Sequence, residues 1–384
     1  MDIFKYINSN TAKFLCFNIL NNNFGVNNEI KQKDNLKKIS LNKSNDSIQI
    51  STNNNTLTVS KKRRIIKNFN KLYKLENINS IRNYIKNNFK DEIFNNDNIY
   101  KKLLKSIVIK NVRIKHNYLK KKNFIDRGSS GKVFKVTENN KDYAIKMFSK
   151  KDTTLENIKK EISFQAFLSE NNNFVKIYDF YKNKDSFFIK MDFFPNRDVF
   201  KNITGDGNLF KKMRKGKIYY QIINCVKKLH KKNIAHRDIK PENIFLDNAY
   251  NAFLGDFGES VRIEADKEYE INCNLLSMPD KYVLQYKDGV RETFMDLKKN
   301  DIYALGLTIL SIETNKISPD FNRNDIDGFI TKRNDFIEDN LEKLSESYTD
   351  LYTILNDMLS KNIDTISTID DVINSEFYNT LITY

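Results

Sequence analysis

The stretch His236-Arg-Asp-Ile-Lys-Pro-Glu-Asn243 decides how the rest of the chain is interpreted. It brings two carboxylates, two permanent cations and an amide within eight residues, between two apolar runs. Pro241 removes one backbone donor and fixes one φ angle, which suits a stiff loop that presents side chains to a cleft. An ordinary charged surface loop is the alternative. A second short motif, Leu254-Gly-Asp-Phe-Gly258, follows soon after.

The first motif resembles the catalytic loop of protein kinases, and Lys240-Pro241-Glu242 resembles the Ser/Thr branch of that family. The resemblance implies that Asp238 accepts the proton of a substrate hydroxyl and that Lys240 screens the transferred phosphate. Asn243 and Asp256 would then hold Mg²⁺, with Mn²⁺ as an alternative ion, because hard cations prefer oxygen ligands. Two motifs at the family's spacing make coincidence the weaker explanation.

A glycine-containing segment upstream extends the resemblance. Ile125-Asp-Arg-Gly-Ser-Ser-Gly-Lys-Val133 resembles the loop that covers the ATP phosphates, with Gly128 and Gly131 where the backbone must approach them closely. Asp126 replaces the first glycine and Ser130 the usual aromatic residue, so this motif alone is weak. We expect the Asp126 carboxylate to lower nucleotide affinity.

A lysine in an apolar strand needs a charged partner, because burial of an unpaired cation is costly. Lys146 lies in such a strand and resembles the family's lysine that binds the α and β phosphates. Thr153 and Glu156 form a capping-box pattern for the next helix. In that helix Glu161 lies at the edge of the apolar stripe and is the predicted partner of Lys146. The alternatives are Glu156 as the partner, or an ordinary exposed Glu161.

The strand that leads to the hinge contains the expected adenine site. The resemblance makes Met191 the gatekeeper and Asp198 a ribose ligand, although a Met in such a strand is otherwise simply core. Asp192 and Phe194 would offer backbone groups to adenine. The full set implied for ATP is Ile125, Gly128, Gly131, Val133, Ala144, Lys146, Met191, Asp192, Phe194 and Asp198.

In the second half of the chain, Asp280 departs from the family's sequence pattern and Asp301 matches it. Asp280, in Met-Pro-Asp, replaces the glutamate of Ala-Pro-Glu, and Ile366 falls at about the place of its usual arginine partner. We therefore expect the buried ion pair to be missing as a unit. Asp301 resembles the buried aspartate that hydrogen-bonds the catalytic-loop backbone, and the apolar run 304–312 predicts a buried central helix.

Arg237 is of the type that needs an anion from the activation segment. Ser260, Tyr269 and Ser277 are the hydroxyl candidates there. We hypothesise that a carboxylate fills this role instead and makes activity independent of phosphorylation. The candidate carboxylates are Glu259, Glu264, Asp266, Glu268 and Glu270.

Basic charge concentrates in the first third of the chain. Residues 1–122 contain 26 Lys and Arg against 8 Asp and Glu, so the rest carries −2 of the total of +16. Residues 1–60 are polar and Asn-rich and predict a disordered arm. Residues 61–116 predict a basic amphipathic extension of three short helices, around Phe69, Tyr84 and Leu103.

The basic extension has three interpretations. In the first, it is a helical subdomain that packs on the rest of the chain or is merely solvated. In the second, residues 61–122 dock on an anionic membrane surface or an acidic partner. The third is nucleic-acid binding. Nucleic-acid binding is not expected, because no groove-reading motif is present. No apolar run reaches the roughly 18 residues of a membrane span. Cys16, Cys225 and Cys273 are far apart, which predicts a reducing compartment and no structural metal.

The resemblance implies an α+β, two-lobed protein kinase fold over residues 117–384, with a small lobe over 117–194 and a large lobe over 195–384. The expected activity is transfer of phosphate from MgATP to Ser or Thr of a protein substrate. A pseudokinase-like scaffold without turnover is the alternative, and Lys240-Pro241-Glu242 disfavours a small-molecule kinase. The expected location is intracellular and cytoplasmic, or a host cell if the chain is viral or a secreted effector.

Overall fold

Two units, residues 1–72 and 73–384, make up the chain. The computed structural model describes residues 73–87, 96–112, 116–128, 131–168, 172–205, 215–271 and 275–382, together with three strands of the first unit. Those strands form an antiparallel sheet in the order β1 (Ser40–Lys43), β2 (Ile48–Thr52) and β3 (Asn55–Val59). They differ from the disordered arm that the sequence predicts. The rest of that arm and the helix expected around Phe69 lie outside the described residues.

Two helices occupy the other segments predicted for the extension, α1 (Ile78–Asn87) and α2 (Asp97–Ser106). Each buries one apolar face, because its apolar residues recur at helical spacing. Asn96 caps α2 by accepting a hydrogen bond from the backbone N–H of Ile99. The buried apolar residues are Ile78, Ile81, Tyr84 and Ile85 on α1 and Ile99, Tyr100, Leu103 and Leu104 on α2.

A five-stranded antiparallel sheet forms the small lobe. Its strands are β4 (Phe124–Gly128), β5 (Gly131–Glu138), β6 (Lys141–Ser149), β7 (Ile177–Lys182) and β8 (Ser186–Asp192), in the spatial order β4-β5-β6-β8-β7. Both faces of β6 are covered, with Ile145 buried on one side and Ala144 and Phe148 on the other. Lys146 therefore reaches the cleft from a strand that is apolar on either side of it.

Helix α3 (Leu155–Leu168) packs on this sheet and on the extension helices. Its first turn is capped by Thr154, whose hydroxyl accepts a hydrogen bond from the backbone N–H of Asn157. The capping box predicted from Thr153 and Glu156 is therefore wrong, since the capping side chain is that of Thr154, bonded to Asn157. Ile158 and Ile162 of α3 are buried in the same core as the apolar faces of α1 and α2. The extension thus packs directly on the helix that carries Glu161.

The large lobe is helical. Its helices are α4 (Val199–Thr204), α5 (Lys215–Lys231), α6 (Asp280–Lys287), α7 (Leu297–Thr314), α8 (Ile326–Ser345), α9 (Thr349–Met358), α10 (Ile369–Asn374) and α11 (Glu376–Ile382). Short strands complete it, paired as β9 (Ile234–Ala235) with β12 (Val261–Arg262), β10 (Ile244–Leu246) with β11 (Ala252–Leu254), and β13 (Glu268–Glu270) with β14 (Glu292–Phe294). Residues 300–312 of α7 are all buried, as predicted for a central helix. Within the described ranges no helix is long and apolar enough to span a membrane.

The ion pair that the sequence predicts to be missing is present. Arg333 of α8 forms an ion pair with the carboxylate of Asp280, at the start of α6. Its Nη1 atom also donates to the carbonyl oxygens of Leu276 and Met278, at 3.0 and 2.7 Å. The prediction was wrong because it assumed that the arginine would come from the position of Ile366, which is buried in the core. The arginine comes from α8 instead.

We expect Arg333→Met to lower the free energy of unfolding by about 3 to 5 kcal/mol, because it leaves the Asp280 carboxylate with only the amide of Asn334 and removes the donor to two main-chain carbonyls. Urea unfolding of the purified chain measures this. The matched control is Lys287→Met, which breaks the exposed ion pair of Lys287 with Asp327 and should cost less than about 1 kcal/mol. Equal losses in the two variants would contradict the assignment of a structural role to Arg333.

Candidate active site

A buried carboxylate holds the backbone of the loop between β9 and β10. Asp301 of α7 is fully buried and accepts hydrogen bonds from the backbone N–H groups of His236 and Arg237, both at 2.8 Å. The ring nitrogen Nε2 of His230 lies 3.1 Å from the same carboxylate. Arg237 has a φ of 65°, a left-handed conformation that costs a non-glycine residue about 1 to 3 kcal/mol. The hydrogen bonds to Asp301 offset that strain and fix the loop.

Asp238 is held by its neighbours in the same loop. The side-chain amide of Asn243 donates to Oδ2 and to the main-chain oxygen of Asp238, each at 2.8 Å. The ammonium group of Lys240 lies 2.8 Å from Oδ1. Because the amide nitrogen of Asn243 is used on Asp238, its carbonyl oxygen is the atom that can face a cation.

A lysine from the small lobe joins both lobes of the site. The Nζ atom of Lys146 lies 2.7 Å from Oδ1 of Asp256 and 3.3 Å from Oε1 of Glu161. Lys146 and Glu161 are 6% and 4% exposed, so neither charge is satisfied by water. Glu156, the other candidate partner, is exposed and pairs with Lys160 instead. Of the two glutamates, the structure brings Glu161 to Lys146.

Burial and the charge of Lys146 shift the pKa values of Glu161 and Asp256 in opposite directions. Burial raises the pKa of Glu161 to about 7, against the attraction of Lys146. For Asp256 burial also raises the pKa, but the charge and hydrogen bond of Lys146 outweigh it and the pKa is lowered. The lowered pKa keeps Asp256 anionic at neutral pH, as a ligand for a hard cation requires.

The backbone around Asp256 is positioned by close packing. A side chain at Gly255 would place its Cβ atom 2.6 Å from Cγ2 of Val175, so glycine is required there. Asp256 itself has a left-handed φ of 60°. The Nε2 atom of the buried His236 ring lies 3.1 Å from the carbonyl oxygen of Gly255. The centroids of the His236 and Phe257 rings are 5.0 Å apart. Burial lowers the pKa of His236, so this ring is neutral at pH 7.

The glycine-containing segment roofs a cavity of about 450 Å³ lined by Gly128, Gly131, Glu161 and Gly258, among others. Gly131 has a φ of 150°, and a Cβ atom there would meet the carbonyl oxygen of Met147 at 2.4 Å. A Cβ atom at Gly128 would meet no protein atom within 4 Å. Gly131 is thus required by the strand next to it, whereas Gly128 borders open space at the phosphate end. Ser130 lies outside the described residues.

The predicted adenine residues line the hinge side of the cleft. Ala144 of β6 pairs with Met191 of β8, and the ring of Phe194 stacks on Phe245 at 5.4 Å. The backbone N–H of Asp192 donates to the carbonyl oxygen of Lys176 at 3.0 Å, so this donor is already used within the protein. Phe245 was missed by sequence reasoning. The only signal was its place two residues after Asn243.

Three further predicted nucleotide residues lie around that hinge. Ile125 is partly exposed on β4, Val133 is half-buried on β5, and Asp198 caps α4 by accepting a hydrogen bond from the backbone N–H of Lys201 at 2.8 Å. Burial raises the pKa of Asp198. The carboxylate of Asp126 lies 3.3 Å from the ammonium group of Lys201, which links the small lobe to the large one.

Comparison with known families identifies this arrangement. A family model of the protein kinase domain matches residues 118–378. The chain belongs to the protein kinase family. The two-lobed α+β fold expected from the sequence is thereby confirmed.

Several curated kinases are similar over part of the chain. The serine/threonine-protein kinase PrkC of Bacillus subtilis is 32% identical over 145 residues, which cover 38% of this chain and 22% of that protein. Calcium-dependent protein kinase 21 of Arabidopsis thaliana is 31% identical over 212 residues, covering 54% and 38%. The serine/threonine-protein kinase Nek1 of Mus musculus is 28% identical over 245 residues, covering 62% and 19%. The match thus spans less than two fifths of each of these relatives.

The kinase's Arg237 is not hydrogen-bonded as hypothesised. Its Nη2 atom donates to the main-chain oxygen of Glu270 at 2.6 Å, so the acceptor is a carbonyl and not a carboxylate. Glu264 pairs instead with Arg262 and Lys267, at 2.9 and 2.6 Å. Burial raises the pKa of Glu259, against the opposing charge of Arg237. Sequence reasoning could name acidic side chains but not the path of the main chain.

All three hydroxyl candidates of the activation segment are buried. Ser260, Tyr269 and Ser277 are 3%, 6% and 4% exposed. The Ser260 hydroxyl donates to the main-chain oxygen of His236 at 3.3 Å, and the Tyr269 hydroxyl accepts from the backbone N–H of Glu264 at 2.8 Å. In this arrangement no hydroxyl between Asp256 and Pro279 is accessible to another enzyme.

We expect Glu161→Gln to lower kcat/KM for ATP by about 10- to 100-fold, or about 1.4 to 2.7 kcal/mol, because Lys146 loses a charged partner that positions it. Steady-state kinetics at varied ATP measures this. The matched control is Glu156→Gln in the same helix, which removes an exposed charge and should leave kcat/KM within about twofold. A larger loss in Glu156→Gln than in Glu161→Gln would reverse the assignment.

We expect Asp126→Gly to tighten ATP binding about two- to fivefold, because it removes a carboxylate near the triphosphate in a partly exposed and screened site. Calorimetric titration with MgATP measures the affinity. Lys201→Met should weaken binding in the wild-type chain by exposing the Asp126 charge, and should have no such effect in Asp126→Gly. Unchanged or weaker affinity in Asp126→Gly would contradict the prediction.

Proposed function

We propose that the chain is a serine/threonine protein kinase that transfers the γ-phosphate of ATP to hydroxyl groups of protein substrates. One observation carries the proposal. Lys146 is paired with both Glu161 and Asp256 while Asp238 is held by Asn243 and Lys240. These six residues supply the groups that phosphoryl transfer needs, and the Lys240-Pro241-Glu242 sequence supports the Ser/Thr branch.

The residues of the site divide the chemistry as follows. Asp238 accepts the proton of the attacking hydroxyl, and its hydrogen bond from Asn243 keeps it aimed at the cleft. Lys240, 2.8 Å from Asp238, can move to the transferred phosphate and neutralise charge there. Lys146 binds the α and β phosphates, with Glu161 keeping its ammonium group in place.

A divalent cation fits the chemistry of two of these residues. The carbonyl oxygen of Asn243 and the anionic carboxylate of Asp256 are hard oxygen donors, and Mg²⁺ is commonly bound by one or two protein oxygens together with phosphates and water. Within the described residues no cluster of three His, Cys, Asp or Glu exists that would hold a metal by itself. When bound with ATP, Mg²⁺ neutralises the charge on the β and γ phosphates.

The alternatives receive less support. A scaffold without turnover was suggested by the altered glycine loop and a missing ion pair, but Arg333 supplies that pair. Docking of residues 61–122 on an anionic membrane surface or an acidic partner is suggested by their basic charge alone, whereas the apolar faces of α1 and α2 are buried in the core of the kinase domain. Protein substrates remain the proposed partners, and their identity is the next question for experiment.

Incorporation of labelled phosphate from MgATP tests the proposal. The wild-type chain should incorporate label into itself or into a generic basic protein. Acid hydrolysis of the product should show that the label is on Ser or Thr. Asp238→Asn should lower the rate of labelling by at least about 100-fold, because the amide cannot accept the proton. Asp327→Asn, an exposed aspartate of the same lobe, is the control. No label with a folded wild-type chain would overturn the activity and favour the scaffold.

A further inference from the structure

A buried arginine follows the Asp256-Phe-Gly motif. Arg262, on β12, has a side chain that is 5% exposed. Its guanidinium group lies 2.9 Å from Oε2 of Glu264 and 3.2 Å from Oδ1 of Asp97. It also lies 5.1 Å from the centre of the Tyr100 ring, a cation–π distance. A cation this deeply buried requires compensating charge, and one of its two carboxylates comes from the N-terminal extension.

The same extension helix contacts the helix that carries Glu161. The Tyr100 hydroxyl lies 3.3 Å from the hydroxyl of Ser163 on α3. Lys159 of α3 donates to the main-chain oxygen of Leu104 at 3.0 Å. Helix α2 thus touches the two elements whose positions decide whether Lys146 finds both carboxylates, namely α3 and the segment after Asp256.

Helix α1 adds a third attachment. Arg82 donates to the main-chain oxygen of Ile177 at 3.2 Å, at the start of β7. After α2 the chain pairs with the other end of β7, where the backbone N–H of Val112 donates to the oxygen of Lys182 at 2.9 Å. Residues 73–87 and 96–112 therefore clasp the small lobe at both ends of one strand and across α3.

The activation segment supplies no accessible phosphate acceptor to do the same work. Its three hydroxyl residues, Ser260, Tyr269 and Ser277, are buried. The anion that reaches Arg262 from outside the segment is the carboxylate of Asp97. This carboxylate is part of the chain itself, whereas a phosphate has to be added.

We propose that residues 73–87 and 96–112 are a built-in activating element, in which Asp97, together with Glu264, neutralises Arg262 and α2 holds α3, so that the Lys146 ion pairs form without phosphorylation of the activation segment. Asp97 is a positioning residue, since it acts through Arg262 and touches no reacting atom. The inference rests on the proposed kinase activity for its kinetic consequences. Its structural consequences can be measured without turnover.

Kinetics of the full chain test the proposal first. We expect Asp97→Asn to lower kcat about tenfold with KM for ATP within about twofold, and Asp97→Glu to retain most of kcat because it keeps the carboxylate. In an Arg262→Met background Asp97→Asn should cause no further loss, as expected for residues that act through one contact. Wild-type kcat in Asp97→Asn, or an equal loss in both backgrounds, would overturn the role of Asp97.

A matched control separates this contact from the stability of helix α2. Asp97 also pairs with Lys101, one turn along the helix and 2.7 Å away. Lys101→Gln removes that exposed pair and leaves the contact with Arg262, so kcat should stay at the wild-type level. A loss in Lys101→Gln as large as in Asp97→Asn would assign the effect to the helix and overturn the proposal.

Hydrogen exchange without nucleotide separates this inference from the proposed function. Asp97→Asn should speed amide exchange in residues 256–271 and in α3, with the thermal midpoint of the chain unchanged, and Lys101→Gln should not. Unchanged exchange in Asp97→Asn would overturn the positioning role whatever the activity. Absence of phosphoryl transfer by the wild-type chain would overturn only the proposed activity.

Phosphatase treatment of the wild-type chain tests independence from phosphorylation. Activity should persist after treatment, and mass spectrometry of the active chain should show no phosphate on Ser260, Tyr269 or Ser277. Strong loss of activity on treatment, with phosphate removed from any of these residues, would overturn this part of the proposal.

Discussion

The buried ammonium group of Lys146 is the interaction on which the site depends. It contacts Glu161 and Asp256, which lie 15 and 110 residues away in sequence, so a single cation joins strand β6, helix α3 and the loop before the activation segment. A buried charge without partners is far costlier than any single packing defect. The three elements are therefore held together by the need to satisfy one group, and the cleft is assembled as a consequence.

A second buried charge performs the corresponding task in the large lobe. Asp301 is fully buried in α7 and accepts backbone N–H groups from the strained loop that carries Asp238. The rigid helix thereby fixes the loop, and Asn243 and Lys240 then fix Asp238 within it. Arg333 does the same for the segment before α6 by binding main-chain carbonyls as well as Asp280. In each case a buried ionic group positions irregular backbone that packing alone would leave free.

How much of this the sequence could predict depends on how local the determinant is. Asp238, Asn243 and Asp256 sit in short motifs, and Glu161 follows from helical spacing once Lys146 is recognised, so their places could be predicted. Arg333 could not, because its contact with Asp280 depends on how α8 packs across the lobe, 53 residues away. The acceptor for Arg237 was missed for a related reason, since a main-chain carbonyl has no signature in the side-chain pattern. The strands within residues 40–59 were missed because the Asn-rich, polar composition outweighed two short alternations, Ile48 with Ile50 and Leu57 with Val59.

The basic extension shows how composition and contact can point in different directions. Its charge suggests an anionic partner, yet its few acids include Asp97, which meets a buried arginine of the kinase domain. Eight apolar side chains of α1 and α2 are buried, and full exposure of such a side chain costs about 1.5 to 3 kcal/mol. Even if half of that burial persisted in a detached extension, the free energy needed to release it would exceed a typical allosteric coupling free energy. That coupling is about 1 to 3 kcal/mol. The clasp on α3 is therefore better described as a permanent part of the kinase domain than as a regulator that comes and goes.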